Sequence, residues 1–505
     1  MTRPDVRPRT DRHASAGARA MPGGGADRME PGRLIRAAAF AAVLGLAACA
    51  SEALNLPINA PIGDSRQQGN WTFGDPVHDE TYVGLAFSGG GMRAAAYTYG
   101  ALQELDAYRV QTRAGLQPLT ESIELVGGVS GGSVTAAYFG LKGREGLPEF
   151  RRRFLERNAE EGFDTQVSIG NVVKVLSAGG LNDRSRFPRW LDDNLFEGAT
   201  YADLFARRRP VVWVTASDLY NRVPFVFEPI TFSAICSDLS TVRLSEAVAA
   251  SAAVPGVFLP VNVENFGATC GSRVPMFMQR ALADSGSAAM LRASAQALTR
   301  LRDDPAAHRY VKLLDGGITD NFGVHPLAIM RTNRDRGHVP LTAEQGARLK
   351  RFLFLVIDSG RGPAGDWSRE LKAPGVGDLV NALTDAAIVG ATYRGYDYLR
   401  AVMRDWEEEM KQWRCSLSPA EVRRLRGSLQ GWNCRDVTFS IGRVTFEDAG
   451  PQVKPLLDAV PTRFVLEPAI REMVIDAGAA AVRNNPTFRE FVRRSGIKRV
   501  GEAGL

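Results

Sequence analysis

Three times along this 505-residue chain an apolar run of strand-like composition stops at a knot of glycines. Tyr82-Val83-Gly84-Leu85-Ala86-Phe87 gives way to Ser88-Gly89-Gly90-Gly91, and Ile123-Glu124-Leu125-Val126 to Gly127-Gly128-Val129-Ser130-Gly131-Gly132. Leu313-Leu314 gives way to Asp315-Gly316-Gly317. Glycines in that position serve turns so tight that a Cβ would clash. Helical periodicity follows the first two knots, over Met92–Tyr108 and Gly132–Lys142. Further β-rich runs stand at Val211–Ala216, Tyr310–Leu314 and Phe352–Ile357, with helical stretches between them. Strands alternating with helices predict an α/β fold, a three-layer α/β/α arrangement around a mainly parallel central sheet. Residues 378–413 read as a long helix, 437–446 as a strand or hairpin arm and 468–494 as a final helix, so a mostly helical C-terminal extension is expected. The apolar run Ala247–Val261 contains Pro255 and Pro260 and is not a membrane span.

The formal charge of +6 is concentrated at the start of the chain. Residues 1–49 hold eight of the 62 basic and four of the 56 acidic side chains, leaving a nearly balanced 54 against 52. That balance gives little support for nucleic-acid binding. Arg33 and Arg36 precede an apolar run from Ala37 to Ala48, too short to span a bilayer but the size of a signal-peptide core. Its end, Leu46-Ala47-Ala48-Cys49, resembles the lipobox of bacterial lipoproteins, in which the cysteine is lipidated. The expected division is a signal peptide over 1–48, with Met29 as the true start, and a tether over 49–75. A catalytic core over 76–365 follows, and 366–500 belongs to the same domain. The expected location is the cell envelope, lipid-anchored on the periplasmic side. With Cys49 acylated, Cys236, Cys270, Cys415 and Cys434 remain. Four cysteines allow three pairings or free thiols, and short loops favour 236–270 with 415–434.

Ser130 sits where a strand turns sharply into a helix, with Gly128 and Gly132 in a G-x-S-x-G frame, the arrangement of a nucleophile elbow. The glycines at 89–91 open a helix, where consecutive backbone N–H groups can converge on one negative atom such as a tetrahedral oxyanion. Gly89-x-Gly91-x-x-Ala94 also matches a dinucleotide fingerprint. The next strand ends Leu125-Val126-Gly127-Gly128 without the acid that would hold a ribose, and no Gly-Lys-Ser/Thr of a phosphate loop is present. No nucleotide is expected. Asp315 ends an apolar strand, at the edge of the sheet where ligands bind in open α/β folds. No His/Cys cluster has metal-ligand spacing, so neither metal nor cofactor is implied.

These three sites, in this order, resemble the patatin-like phospholipase family. Gly89-Gly90-Gly91-Met92-Arg93 is similar to its oxyanion loop, Gly128–Gly132 to its nucleophile elbow and Asp315-Gly316-Gly317 to its acid motif. Ala94 departs from the glycine many members carry, adding one methyl near the helix start. The resemblance implies a patatin-like fold and a serine acyl hydrolase acting on acyl esters of phospholipids or lysophospholipids through a Ser130–Asp315 dyad. Gly89, Gly90 and Gly91 would hold the oxyanion, and Arg93 would brace the loop or attract a phosphate head group. A histidine-dependent triad has only His325 as a serious candidate, and Asp218, Asp320 and Asp358 are competing acids. A free aspartate is a poor base at neutral pH, so Asp315 is expected to be partly desolvated with a raised pKa. The alternatives are a soluble-ester hydrolase or acyltransferase, and a catalytically silent lipid-binding envelope protein.

Overall fold

In the computed structural model the described residues are 55–63, 80–112, 115–164, 180–207, 209–267, 270–271, 274–332, 337–363, 369, 371 and 375–501. Cys49, Met29, His13 and His78 lie outside them. Eight strands build the main sheet: β1 (Thr81–Phe87), β2 (Ile123–Gly128), β3 (Val211–Asp218), β4 (Val223–Phe227), β5 (Val261–Glu264), β6 (Tyr310–Leu314), β7 (Arg351–Ile357) and β8 (Thr438–Val444). The order is β8-β7-β1-β2-β3-β6-β5, with β4 also pairing β3. From β8 to β3 every pairing is parallel, while β6, β5 and β4 join antiparallel. The fold is the expected α/β architecture with a mostly parallel sheet. β1, β2 and β3 are buried along their whole length, as continuous apolar runs require.

α1 (Gly91–Asp106) follows β1 and α2 (Gly131–Lys142) follows β2. α3 (Leu244–Ser251), α4 (Gly317–Asp320), the 41-residue α5 (Val376–Ser416) and α6 (Pro468–Asn484) complete the surroundings of the site. α6 lies against α1 so closely that a Cβ on Gly100 would stand 1.9 Å from the Ile475 carbonyl oxygen, and one on Gly478 2.0 Å from that of Tyr97. The last helical stretch is not continuous. Asn485 and Pro486 divide it, because a proline lacks the N–H that would carry the helix on, and Asn485 caps the next helix by accepting from the Phe488 N–H.

The C-terminal extension is mostly helical, as expected, and its strand at 437–446 is β8, which joins the main sheet parallel to β7 within the unit Ala53–Leu505. One part of the chain departs from the sequence expectation. Residues 55–63, assigned to a free tether, instead lie along β5: the Ile58 N–H donates to the Asn262 carbonyl and Asn55 Nδ2 to that of Pro260. Backbone groups of an edge strand attract such pairing. The expected disulfides Cys236–Cys270 and Cys415–Cys434 are both present. Among the described residues no helix is long and apolar enough to cross a membrane.

Candidate active site

β1 and β2 end side by side, Phe87 opposite Gly128, so the glycine loop and the serine turn emerge from adjacent strands. Ser130 adopts φ 51° and ψ −125°, a conformation that costs a non-glycine residue on the order of 1–3 kcal/mol. The turn is fixed on both sides of the serine. The Val129 N–H donates to the Phe87 carbonyl at 3.1 Å, and Ser133 Oγ donates to the Ser130 carbonyl at 2.6 Å. The Ser130 N–H donates to Ser251 Oγ at 2.8 Å, and that hydroxyl donates to the Thr215 carbonyl at 2.6 Å. Ser251 comes from the end of α3, a polar residue inside an apolar run. Its place in the run was legible, but not its task.

Asp315 enters from β6, beside β3. Its N–H donates to the Ala253 carbonyl at 2.9 Å and the Gly316 N–H to that of Ser251 at 3.0 Å, tying the acid motif to the same segment that holds the serine. The carboxylate accepts from the Gly317 N–H at 2.8 Å and from the Ser130 hydroxyl. Burial pushes its pKa up to about 6, with those two hydrogen bonds pulling the other way. Ser130 and Asp315 are each 4% exposed. Thus the serine and the acid meet, buried at the C-terminal edge of the sheet.

The loop Gly89–Gly91 crosses above the serine. Gly90 and Gly91 have φ of 142° and 61°, conformations open to glycine. A Cβ on Gly131 would stand 1.9 Å from the Gly91 carbonyl oxygen, so loop and elbow are in backbone contact. Gly89 does not meet the expectation of a free oxyanion donor, because its N–H donates to Asn321 Oδ1 at 3.1 Å. Gly91 and Gly131 open α1 and α2, where N–H groups have no partner within the helix. With Gly90 they leave three amides beside the serine. Asn321 is itself held, its Nδ2 donating to Thr392 Oγ1 of α5 at 3.0 Å. Nothing in the sequence singled out Asn321 or Thr392.

Arg93 is 3% exposed. Its guanidinium donates to the carbonyls of Ser359 (3.2 Å) and Val460 (2.6 Å) and braces the loop from beneath. Burial lowers its pKa to about 10. So placed, it does not reach outward for a phosphate head group. The Met92 N–H donates to the Arg463 carbonyl at 2.6 Å, and Glu160 ties that segment down through the Arg463 side chain and the Phe464 N–H. Phe464 packs on Phe187, and Phe187 and Phe163 pack on Phe258 of the apolar run Val254–Leu259.

The other candidates are engaged elsewhere. His325 Nε2 pairs with Ser294 Oγ at 2.9 Å, and burial lowers its pKa to about 4. His308 lies beside the Tyr220 ring and His338 beside that of Trp413. Asp218 accepts from Asn221, Asp320 from the His325 N–H, and Asp358 pairs with Arg443 at 2.6 Å. Among the described residues no histidine touches Ser130 or Asp315.

A nucleophile, a base and amide donors at a sheet edge can transfer an acyl group. The sequence profile described as patatin-like phospholipase matches residues 85–328, which contain all three glycine sites. Among solved structures, human GIVD cytosolic phospholipase A2 is similar at 14% identity, covering 55% of this chain and 45% of that one, with a TM-score of 0.28. This chain thus spans less than half the length of that protein. A search of curated proteins gave no match.

Proposed function

Residues 85–328 are a patatin-like phospholipase domain, and from that premise we propose that the protein is a lipid acyl hydrolase working through Ser130 and Asp315 without a histidine. The observation that carries this reading is the Ser130 hydroxyl, on a strained strand-to-helix turn, hydrogen-bonded to a buried carboxylate with a raised pKa. Asp315 takes the proton as Ser130 Oγ attacks the ester carbonyl. The N–H groups of Gly90, Gly91 and Gly131 hold the oxyanion, each such donor contributing about 3 kcal/mol. Asp315 returns the proton to the leaving alcohol, and water then attacks the acyl-enzyme with Asp315 again as base. The substrates are acyl esters of phospholipids or lysophospholipids, and the apolar segment Val254–Leu259 with its aromatic neighbours is the candidate lining for an acyl chain. The chain is exported, acylated on Cys49 and held on the periplasmic side of the envelope.

The test is labelling of Ser130 by a fluorophosphonate, together with fatty-acid release from mixed phospholipids. Wild type labels and releases fatty acid; Ser130→Ala and Asp315→Asn do not. Equal release by all three ends the enzymatic reading. Mass spectrometry of the mature N-terminus tests the anchor, and an unacylated Cys49 removes it.

A further inference from the structure

The C-terminal edge of the sheet is not level. β1, β2 and the first half of β3 are in step, Phe87 opposite Gly128 and Gly128 opposite Val214. β3 then runs on to Asp218, and β6 comes in from still further out, with Leu313 opposite Asp218 and Tyr310 at its start. At 3.3 Å per residue the turn after Asp218 stands about 13 Å, and Tyr310 roughly 23 Å, beyond the end of the serine's strand. On this raised rim Leu219, Tyr220 and Tyr310 are 51%, 68% and 42% exposed.

The rim is also cationic. Arg309 and Lys312 lie over the Tyr310 ring at 5.2 and 5.7 Å, and the Leu219 N–H donates to the Lys312 carbonyl. Arg300 reaches the same turn through Asn221 Oδ1, and Arg222 belongs to it. Glu264 pairs with Arg309, and Asp304 accepts from the Ala307 N–H beside His308. Among the described residues no carboxylate forms an ion pair with Arg222, Arg300 or Lys312. Two tyrosines and a leucine beside the exposed cations Arg222 and Lys312 suit a surface with hydrocarbon beneath a layer of negative charge. The path of the chain points the same way. Asn55 is bound to Asn262, which lies opposite Lys312, and Leu56 beside it is 69% exposed. Cys49 lies six residues earlier in the sequence, a reach of at most about 20 Å. An acyl group on Cys49, as proposed above, would lie within that reach of Asn55.

We propose that the rim of Leu219, Tyr220, Arg222, Tyr310 and Lys312 is the surface by which the protein docks on an anionic phospholipid bilayer. This rests on the lipid acyl hydrolase reading and deepens it, naming the substrate's physical form as lipid packed in a charged membrane. The test uses the full chain with Cys49→Ser, which cannot be acylated, beside the same chain with Leu219→Ser, Tyr220→Ser and Lys312→Glu added. Sedimentation with vesicles of phosphatidylcholine, alone or mixed with phosphatidylglycerol, reads binding directly. The parent binds the mixed vesicles, and the substitutions weaken that binding by about tenfold or more. Release of fatty acid from vesicles falls in parallel, while hydrolysis of a monomeric water-soluble ester is unchanged, which also shows the variant folded. An Arg222→Glu, Lys312→Glu variant loses the preference for the anionic vesicles. Unchanged binding in both variants, or equal binding of the parent to neutral and anionic vesicles, overturns the docking rim. A parent that binds vesicles but cleaves no ester overturns the catalytic reading and leaves the rim standing.

Discussion

β2 has a buried carboxyl at its beginning and the serine turn just past its end. At the beginning Glu124, 1% exposed, faces Arg209 at 3.3 Å, and burial outweighs the cation and pushes its pKa up to about 7. Past the other end Asp315 is held up to about 6, again by burial. The two acids are alike in burial and in the direction of the shift, and they differ in what faces them. Glu124 meets a guanidinium, which has no proton to exchange at working pH, at the edge of the sheet remote from the glycine loop. Asp315 meets a hydroxyl on a strained turn beneath free amides. A raised pKa therefore marks burial, and the neighbour decides whether it serves chemistry.

The comparison breaks most sharply at the dyad. Ser130→Ala and Asp315→Asn are expected to lower kcat/KM by about 10⁴-fold or more, whereas Glu124→Gln leaves it within about twofold; steady-state kinetics on one ester substrate decide, and a comparable loss in Glu124→Gln would erase the distinction. Gly131→Ala comes next, with a loss on the order of 10²–10³-fold, because its Cβ would meet the Gly91 carbonyl oxygen and part the amides from the serine. Thermal melting of that variant separates a local shift from unfolding. The pH profile sharpens the contrast further. Protonation of Asp315 removes the base, so kcat/KM falls about tenfold per pH unit below about 6, and Glu124→Gln retains that inflection. The smallest effect is on stability. A carboxyl with a raised folded-state pKa binds more protons folded than unfolded between its ordinary value and about 6. Its ionisation therefore erodes stability as pH rises through that window. Asp315→Asn removes this penalty and is expected to stabilise the inactive protein by on the order of 1–3 kcal/mol at pH 8 and not at pH 3. Denaturant unfolding at the two pH values measures it.

Strands β1, β2, β3 and β7 were legible because buried parallel strands are unbroken apolar runs, the antiparallel β6 from its β-rich composition, and the turns after β1, β2 and β6 from their glycines. The short antiparallel strands β4 and β5 were not, since Val223–Phe227 carries a proline in an unalternating apolar run and Val261–Glu264 alternates over only four residues. Their strand character comes from pairing with β3 and β6. Of the site, Ser130, Asp315 and the glycine loop announce their chemistry locally. Asn321 does not, because an amide in a loop gives no sign that it will take the N–H of Gly89, 232 positions away. The carbonyls of Val460 and Arg463 are less visible still, since every residue carries one.

Those two carbonyls limit how far the part of this protein that carries Ser130 and Asp315 is portable. The family match ends at residue 328, yet Arg93 and Met92 are anchored to Val460 and Arg463, and β8 closes the sheet from beyond residue 430. A gene fusion or domain graft cut at the edge of the match would carry the serine and the acid but leave the glycine loop without its far support. The smallest transplantable piece therefore runs nearly to the end of the chain.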